Sequence, residues 1–186
     1  MQRLLFVSSV STSSSVRGSS FTDIAVFESR FYSLTGEGDP EQLAGMRTMP
    51  SLFSVLGTPP FLGRTFEPGD DETGAATVVV LSYGLWRELG EDRSLIGMPL
   101  DLGGEPHTIV GVMPPGFWFP DPTVRLWANA PFSPTNRSGN YAMVARMAPG
   151  YTFANIGAPL QQMADQLREQ FNYNPDWDKS RNPVVT

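Results

Sequence analysis

The run Thr77-Val-Val-Val-Leu81 constrains this chain more than any other segment. A row of β-branched residues loses side-chain freedom in a helix and suits a strand, and an unbroken apolar run suits a strand covered on both faces. Ser82 follows directly, and its hydroxyl is a natural N-cap for a helix carried by Trp86 and Leu89. A strand that feeds straight into a helix predicts a sheet with a helix laid against it.

The remaining elements are short, because 17 Pro and 18 Gly interrupt the 186 residues. That punctuation argues against an all-helical bundle. Phe21 to Leu34 reads as a helical turn or a strand, closed by a turn at Gly36-Glu-Gly-Asp-Pro40, and Leu43 to Met49 returns as a strand ended by Pro50. Ser51-Leu-Phe-Ser-Val-Leu56 reads as a short helix stopped by Gly57. From Gly57 to Gly74 the chain is irregular, anchored by Phe61, Leu62 and Phe66, and carries the acidic turn Asp70-Asp71-Glu72.

Leu100 and Leu102 alternate with polar neighbours up to Gly103-Gly104, and Thr108 to Val112 runs back, which is the pattern of a hairpin with a tight turn. Met113-Pro-Pro-Gly-Phe-Trp-Phe-Pro120 ends it as a stiff aromatic loop. Val124 to Trp127 and Tyr141 to Met147 are two further short strands, and Pro149-Gly150 is a turn. Beyond it Phe153, Ile156, Leu160, Met163, Leu167 and Phe171 recur at helical spacing, with Pro159 predicting a kink there or a helix start near Ala158. The Ser-rich stretch from Val10 to Ser20 has too little apolar surface to order itself and reads as a flexible arm.

Several function classes are excluded by composition. The net charge of −6, with Lys179 the only lysine, repels phosphate backbones and anionic membrane surfaces. The absence of cysteine removes disulfides, thiolate catalysis and Cys-based zinc sites. The N-terminal apolar run Leu4-Leu-Phe-Val7 is too short for a signal-peptide core or a membrane span, and no window approaches the roughly eighteen apolar residues a span needs. Without a second lysine no Gly-x4-Gly-Lys-Ser/Thr phosphate loop can exist, so no nucleotide or other cofactor is expected.

The candidates for chemistry are few. His107, the only histidine, lies on the return strand of the hairpin and reads as structural. Glu67, Asp70, Asp71 and Glu72 lack the alternation and closing Glu of a calcium loop and read as a solvated turn. Arg64 reads either as an ion pair pinning its loop to that turn or as a contact to a partner protein. Phe117, Trp118 and Phe119 pose the same choice, since three consecutive aromatics in an extended segment cannot all point inward. Burial of two of them is expected, with an exposed docking patch as the alternative. No catalytic or metal-binding residue is assigned.

Taken together, Leu52-Phe-Ser-Val-Leu-Gly57, Gly63-Arg-Thr-Phe66, Val78-Val-Val-Leu-Ser82, Leu85-Trp86, Leu95-Ile-Gly97 and Ile109-Val-Gly-Val-Met-Pro-Pro-Gly-Phe117 resemble, in order and spacing, the periplasmic core domain of MacB-like (FtsX-like) ABC transporter permeases. The resemblance runs from about Phe21 to the C-terminus. It implies an α+β fold, with a porter-like α/β lobe built from both chain ends (21–49 and 131–186), a smaller, mainly β lobe between them (50–130), and an arm at 1–20. It also implies an extracytoplasmic domain set between membrane helices that this sequence does not contain, so the chain would not insert into the membrane or transport anything by itself. Expected partners are the parent permease's membrane helices, a cytoplasmic ATPase subunit acting indirectly, and a periplasmic adaptor or a second permease copy.

The function so implied is non-catalytic: coupling ATP-driven movement to export or mechanotransmission, through rigid-body movement of stiff lobes. The rival readings are a stand-alone extracytoplasmic module binding a peptide or protein, and a carboxylate-based hydrolase. Neighbouring membrane-helix or ATPase sequence would separate the permease domain from the stand-alone module. Lacking a phosphate loop, the purified chain should give no saturable heat when ATP is titrated into it; a stoichiometric micromolar isotherm would overturn the transporter-domain reading.

Overall fold

The computed structural model describes residues 4–8, 20–35, 41–72, 74–129, 141–152 and 154–158. Its elements are β1 (Leu4–Ser8), β2 (Phe21–Leu34), β3 (Glu41–Thr48), α1 (Leu52–Leu56), β4 (Leu62–Gly63), β5 (Val78–Leu81), α2 (Tyr83–Glu88), β6 (Pro99–Leu102), β7 (Glu105–Val112), β8 (Leu126–Asn129) and β9 (Ala142–Met147), with a 3-10 turn at Arg93–Leu95. The fold is α+β, and among the described residues it is rich in mixed sheet and poor in helix. It divides into two units: Met1–Phe27, Ser54–Leu56 and Phe132–Thr186 form one, Glu28–Phe53 and Gly57–Pro131 the other. The chain passes between them four times: within β2, within α1, after Leu56 and after Pro131.

In the larger unit the apolar run does what its composition predicts. All four β5 side chains are buried, and both edges of the strand are paired, antiparallel to β8 and parallel to β7. On β7 the register shifts between the partners of Val79 and Val80, so that Ile109 and Gly111 are their partners. β3 adds to β8 in parallel, and β6 and β4 both add antiparallel to β7.

Ser82 caps α2 as expected, its hydroxyl accepting the Leu85 N–H at 3.1 Å. The helix then lays Leu85 and Trp86 into a core made with Val79, Leu81, Leu43, Leu102, Ile109, Val112 and Leu126. Burying this set is the main source of stability for the unit, at about 25 cal/mol for each Å² of apolar surface removed from water. Short helices of this length would not persist in water without it.

In the smaller unit β9 is central, pairing antiparallel with β1 on one edge and with Phe21–Phe27 of β2 on the other. Ile24 to Phe27 and Met143 to Ala145 are buried without alternation, as in strands covered on both faces. Arg146 on β9 donates hydrogen bonds to the carbonyls of Ser54 and Val55, and so satisfies acceptors at the C-terminal end of α1. β1 occupies residues 4–8, inside the segment that its sequence leaves in the N-terminal arm. The Val10–Ser20 arm, except for Ser20, the Gly36–Pro40 turn and the amphipathic helix pattern beyond Ala158 lie outside the described residues.

The hairpin falls where Gly103-Gly104 places it, with Leu102 opposite Glu105. Both glycines have positive φ, 72° and 87°, the pair of values a type I′ turn requires and β-branched residues resist. The Asp101 carboxylate fastens the turn by accepting the Gly104 N–H at 2.8 Å. Nothing lies within 4 Å of a Cβ built at either position, so the constraint on side chains there is conformational, with no crowding to add to it. Replacing Gly103 and Gly104 together with Val should therefore cost about 2 kcal/mol, whereas Gly84→Ala in α2 should stabilise by about 0.5 kcal/mol. Urea melts of the two variants check both signs.

Candidate functional site

The residues singled out in the sequence fall in two segments of the larger unit, the Arg64 loop with its acidic turn and the aromatic loop after β7. Backbone geometry places Arg64. Gly63 on β4 faces Gly111 on β7, and the chains come so close that a Cβ on Gly111 would lie 2.0 Å from the Arg64 carbonyl oxygen and one on Gly63 2.2 Å from the Val110 carbonyl oxygen. Only glycine permits that approach. The Arg64 N–H then bonds to the Val110 carbonyl at 2.8 Å, and its side chain leaves toward the acidic turn.

There the guanidinium donates to both Asp70 oxygens, at 2.8 and 3.2 Å, and to the Thr65 carbonyl at 2.9 Å. Asp70 also accepts the Glu67 N–H at 2.8 Å. Burial acts to raise the Asp70 carboxyl, but the Arg64 hydrogen bonds, the Glu67 amide and the Arg64 charge outweigh it and hold the group below the ordinary carboxylate range. The same bonds raise Arg64 above its ordinary value. Such a forked pair is geometrically specific, and the Arg64 side chain is bound within its own loop and turn. This ion pair is one of the two readings of Arg64 in the sequence.

The aromatic loop is anchored at two points. The Phe117 ring lies 5.4 Å from Trp127 and 6.2 Å from Phe53, and Phe53 in turn lies 5.4 Å from Phe66 and 5.8 Å from Trp127. Trp127 on β8 is fully buried and donates its indole N–H to the Phe119 carbonyl at 3.1 Å. The Phe119–Pro120 peptide is cis. Phe117 and Phe119 are half-buried, whereas Trp118 between them is 59% exposed. The expected burial of two of the three aromatics is therefore only partly met: Phe117 packs half-buried on the core cluster, Phe119 is half-buried, and Trp118 faces outward, because the loop lies on the edge of the cluster and not within it.

Two residues absent from the sequence-based set complete this arrangement. Asn129, buried at the end of β8, accepts the Val78 N–H at 2.6 Å and donates to the Asp70 carbonyl. Trp127 plays the equivalent part for the aromatic loop. Neither carries a recognisable local signal, because each acts through a backbone group more than five residues away in sequence.

His107 is buried with its ring edge-on to Tyr32 and its Nδ1–H donating to the Glu105 carbonyl at 2.9 Å. Burial pushes the Tyr32 hydroxyl up to about 12. Among the described residues no three His, Cys, Asp or Glu side chains converge as metal ligands, and no helix is long and apolar enough to cross a membrane.

Comparison with known proteins places this architecture. Residues 6–168 match the MacB-like periplasmic core domain, and the chain belongs to that family, a periplasmic or extracellular domain of ABC transporter permeases. The fold is similar to that of the periplasmic region of MacB from Actinobacillus actinomycetemcomitans, at 12% identity over 91% of this chain and 84% of that one, with a TM-score of 0.66. It is similar also to the extracellular domain of the ABC-type transporter YknZ from Gram-positive bacteria, at 13% identity over 99% and 100% of the two chains, with a TM-score of 0.69. No curated protein matches the sequence.

The division of the aromatic loop has a direct consequence for stability. Phe117→Ser removes a ring from the Phe53–Phe66–Trp127 cluster and should lower stability by about 2 kcal/mol, less than a fully buried aromatic would. Trp118→Ser should unfold near the wild-type midpoint, within about 0.5 kcal/mol. Urea denaturation of the two single variants distinguishes them, and equal losses would place Trp118 in the core.

Proposed function

We propose that this domain is a non-catalytic coupling element of an ABC permease, transmitting ATP-driven movement of the membrane part to a substrate or partner on the outer side. The observation that carries this reading is the family match over residues 6–168. It is supported by a fold similarity that takes in the whole of the YknZ extracellular domain. The working partners are the parent permease's membrane helices, an ATPase acting from the cytoplasmic side, and an adaptor or second permease copy outside.

The lobes of this reading are 21–49 with 131–186 and, between them, 50–130. The separation of the chain into two units supports a two-part domain, with Glu28–Phe53 falling in the unit that holds Gly57–Pro131. Stiffness within the larger unit suits transmission, because a packed core passes on displacement rather than absorbing it. The contact surface for the outer partner is assigned to the Phe117-Trp118-Phe119 loop, with Arg64 shaping the neighbouring turn. The half-buried Phe117 and Phe119 stiffen the loop before a partner arrives, which lowers the ordering entropy lost on docking.

Coupling is testable in the full permease joined to its ATPase. The domain has no cysteine, and Ala75 is exposed, so Ala75→Cys in a permease and ATPase otherwise cleared of cysteine accepts one spin label per copy. The label-to-label distance between two permease copies should shift between nucleotide-free and ATP-bound states. An unchanged distance distribution with an active ATPase would overturn the coupling role.

A further inference from the structure

Trp118 is an indole that the core does not use, displayed on a backbone held at both neighbours. Phe117 is locked into the aromatic cluster and the Phe119 carbonyl is held by Trp127. The acidic turn is held from the same strand. Side chains two residues apart on a strand leave the same face, and from that face of β8 Trp127 takes the Phe119 carbonyl while Asn129 takes the Asp70 carbonyl. Phe66, which leads into the turn, rests on Phe53, the ring that Phe117 also touches. Loop and turn therefore share one support.

Around that support the carboxylates outnumber the turn's one cation. Glu67 and Glu72 on the turn and Asp121 just after the loop are exposed, and Asp71 is half-buried. The turn's own cation, Arg64, is already engaged by Asp70 and by Glu67 at 3.8 Å. An exposed indole on a support shared with a net-negative turn repels anionic lipid and nucleic acid, and it attracts a guanidinium or ammonium, which stacks on the ring face while the turn's carboxylates favour its charge. We propose that Trp118 is the seat for a cationic, Arg-bearing segment of the protein partner outside the membrane. This rests on the partner-contact reading of the aromatic loop and specifies its chemistry.

The probe is the capped peptide Gly-Arg-Gly-Arg-Gly, titrated into the chain at low salt while the Trp118 indole N–H resonance is followed by NMR. The resonance should shift saturably, binding should weaken about fivefold or more in Trp118→Ala and several-fold in Glu72→Gln, and it should fade as salt rises. Trp118→Phe should retain most of it. No shift at millimolar peptide, or equal binding by Trp118→Ala, would overturn the proposal. So would preferential binding of capped Gly-Leu-Gly-Leu-Gly, or a concentration-dependent shift of the chain alone that reports a second copy on the indole; either would leave the partner-contact reading intact. That broader reading fails separately, if the full permease carrying Trp118→Ala transports as well as the wild type.

Discussion

A strand with four buried apolar side chains can exist only if every one of its backbone polar groups finds a partner, because an unpaired N–H or C=O away from water costs more than a made hydrogen bond returns. β5 meets that demand with β8 on one edge and β7 on the other. Its first N–H, that of Val78, is taken by the side chain of Asn129. Two flanking strands are thereby held in place by one apolar run. Their outer residues then position everything else of interest in the larger unit.

The consequences follow along β8 and β7. On β8, Trp127 and Asn129 are held so that one reaches the aromatic loop and the other the acidic turn. On β7, Gly111 admits the β4 backbone close enough to fix where the Arg64 side chain begins. The surface features of this unit are therefore supported from the sheet by buried side chains and backbone contacts, and the exposed loop around Trp118 inherits the order of the strand beneath it.

Such an arrangement fits the contact and transmission proposed for the domain. In the proposed coupling role the domain would hold its shape under movement, and the Arg64–Asp70 fork and the Asn129 bridge fix the acidic turn to its own loop and to the sheet. The acidic character of the chain gives its exposed aromatic a preference among partners that shape alone would not.

Local pattern was sufficient where the chain's own covalent preferences decide. The Val78–Leu81 strand, the Ser82 cap, the short helix ending at Gly57 and the Gly103-Gly104 hairpin were all legible, because β-branching, capping and positive φ act within a few residues. Family membership was legible too, from the order and spacing of several weak motifs. The rest needed the tertiary structure. β1 was missed because a five-residue run becomes a strand only when β9 offers it an edge. Which of Phe117, Trp118 and Phe119 turns outward depended on Phe53 and Trp127, residues far from the loop in sequence or on another strand. Arg64 could have met a partner or its own turn, and the backbone approach of Gly63 to Gly111 directed it to Asp70. The sequence by itself determined the family and those elements whose local chemistry is strong; the pairing of distant strands decided the rest and which side chains were left facing solvent, because an edge strand and an exposed side chain both depend on what the rest of the chain offers or covers.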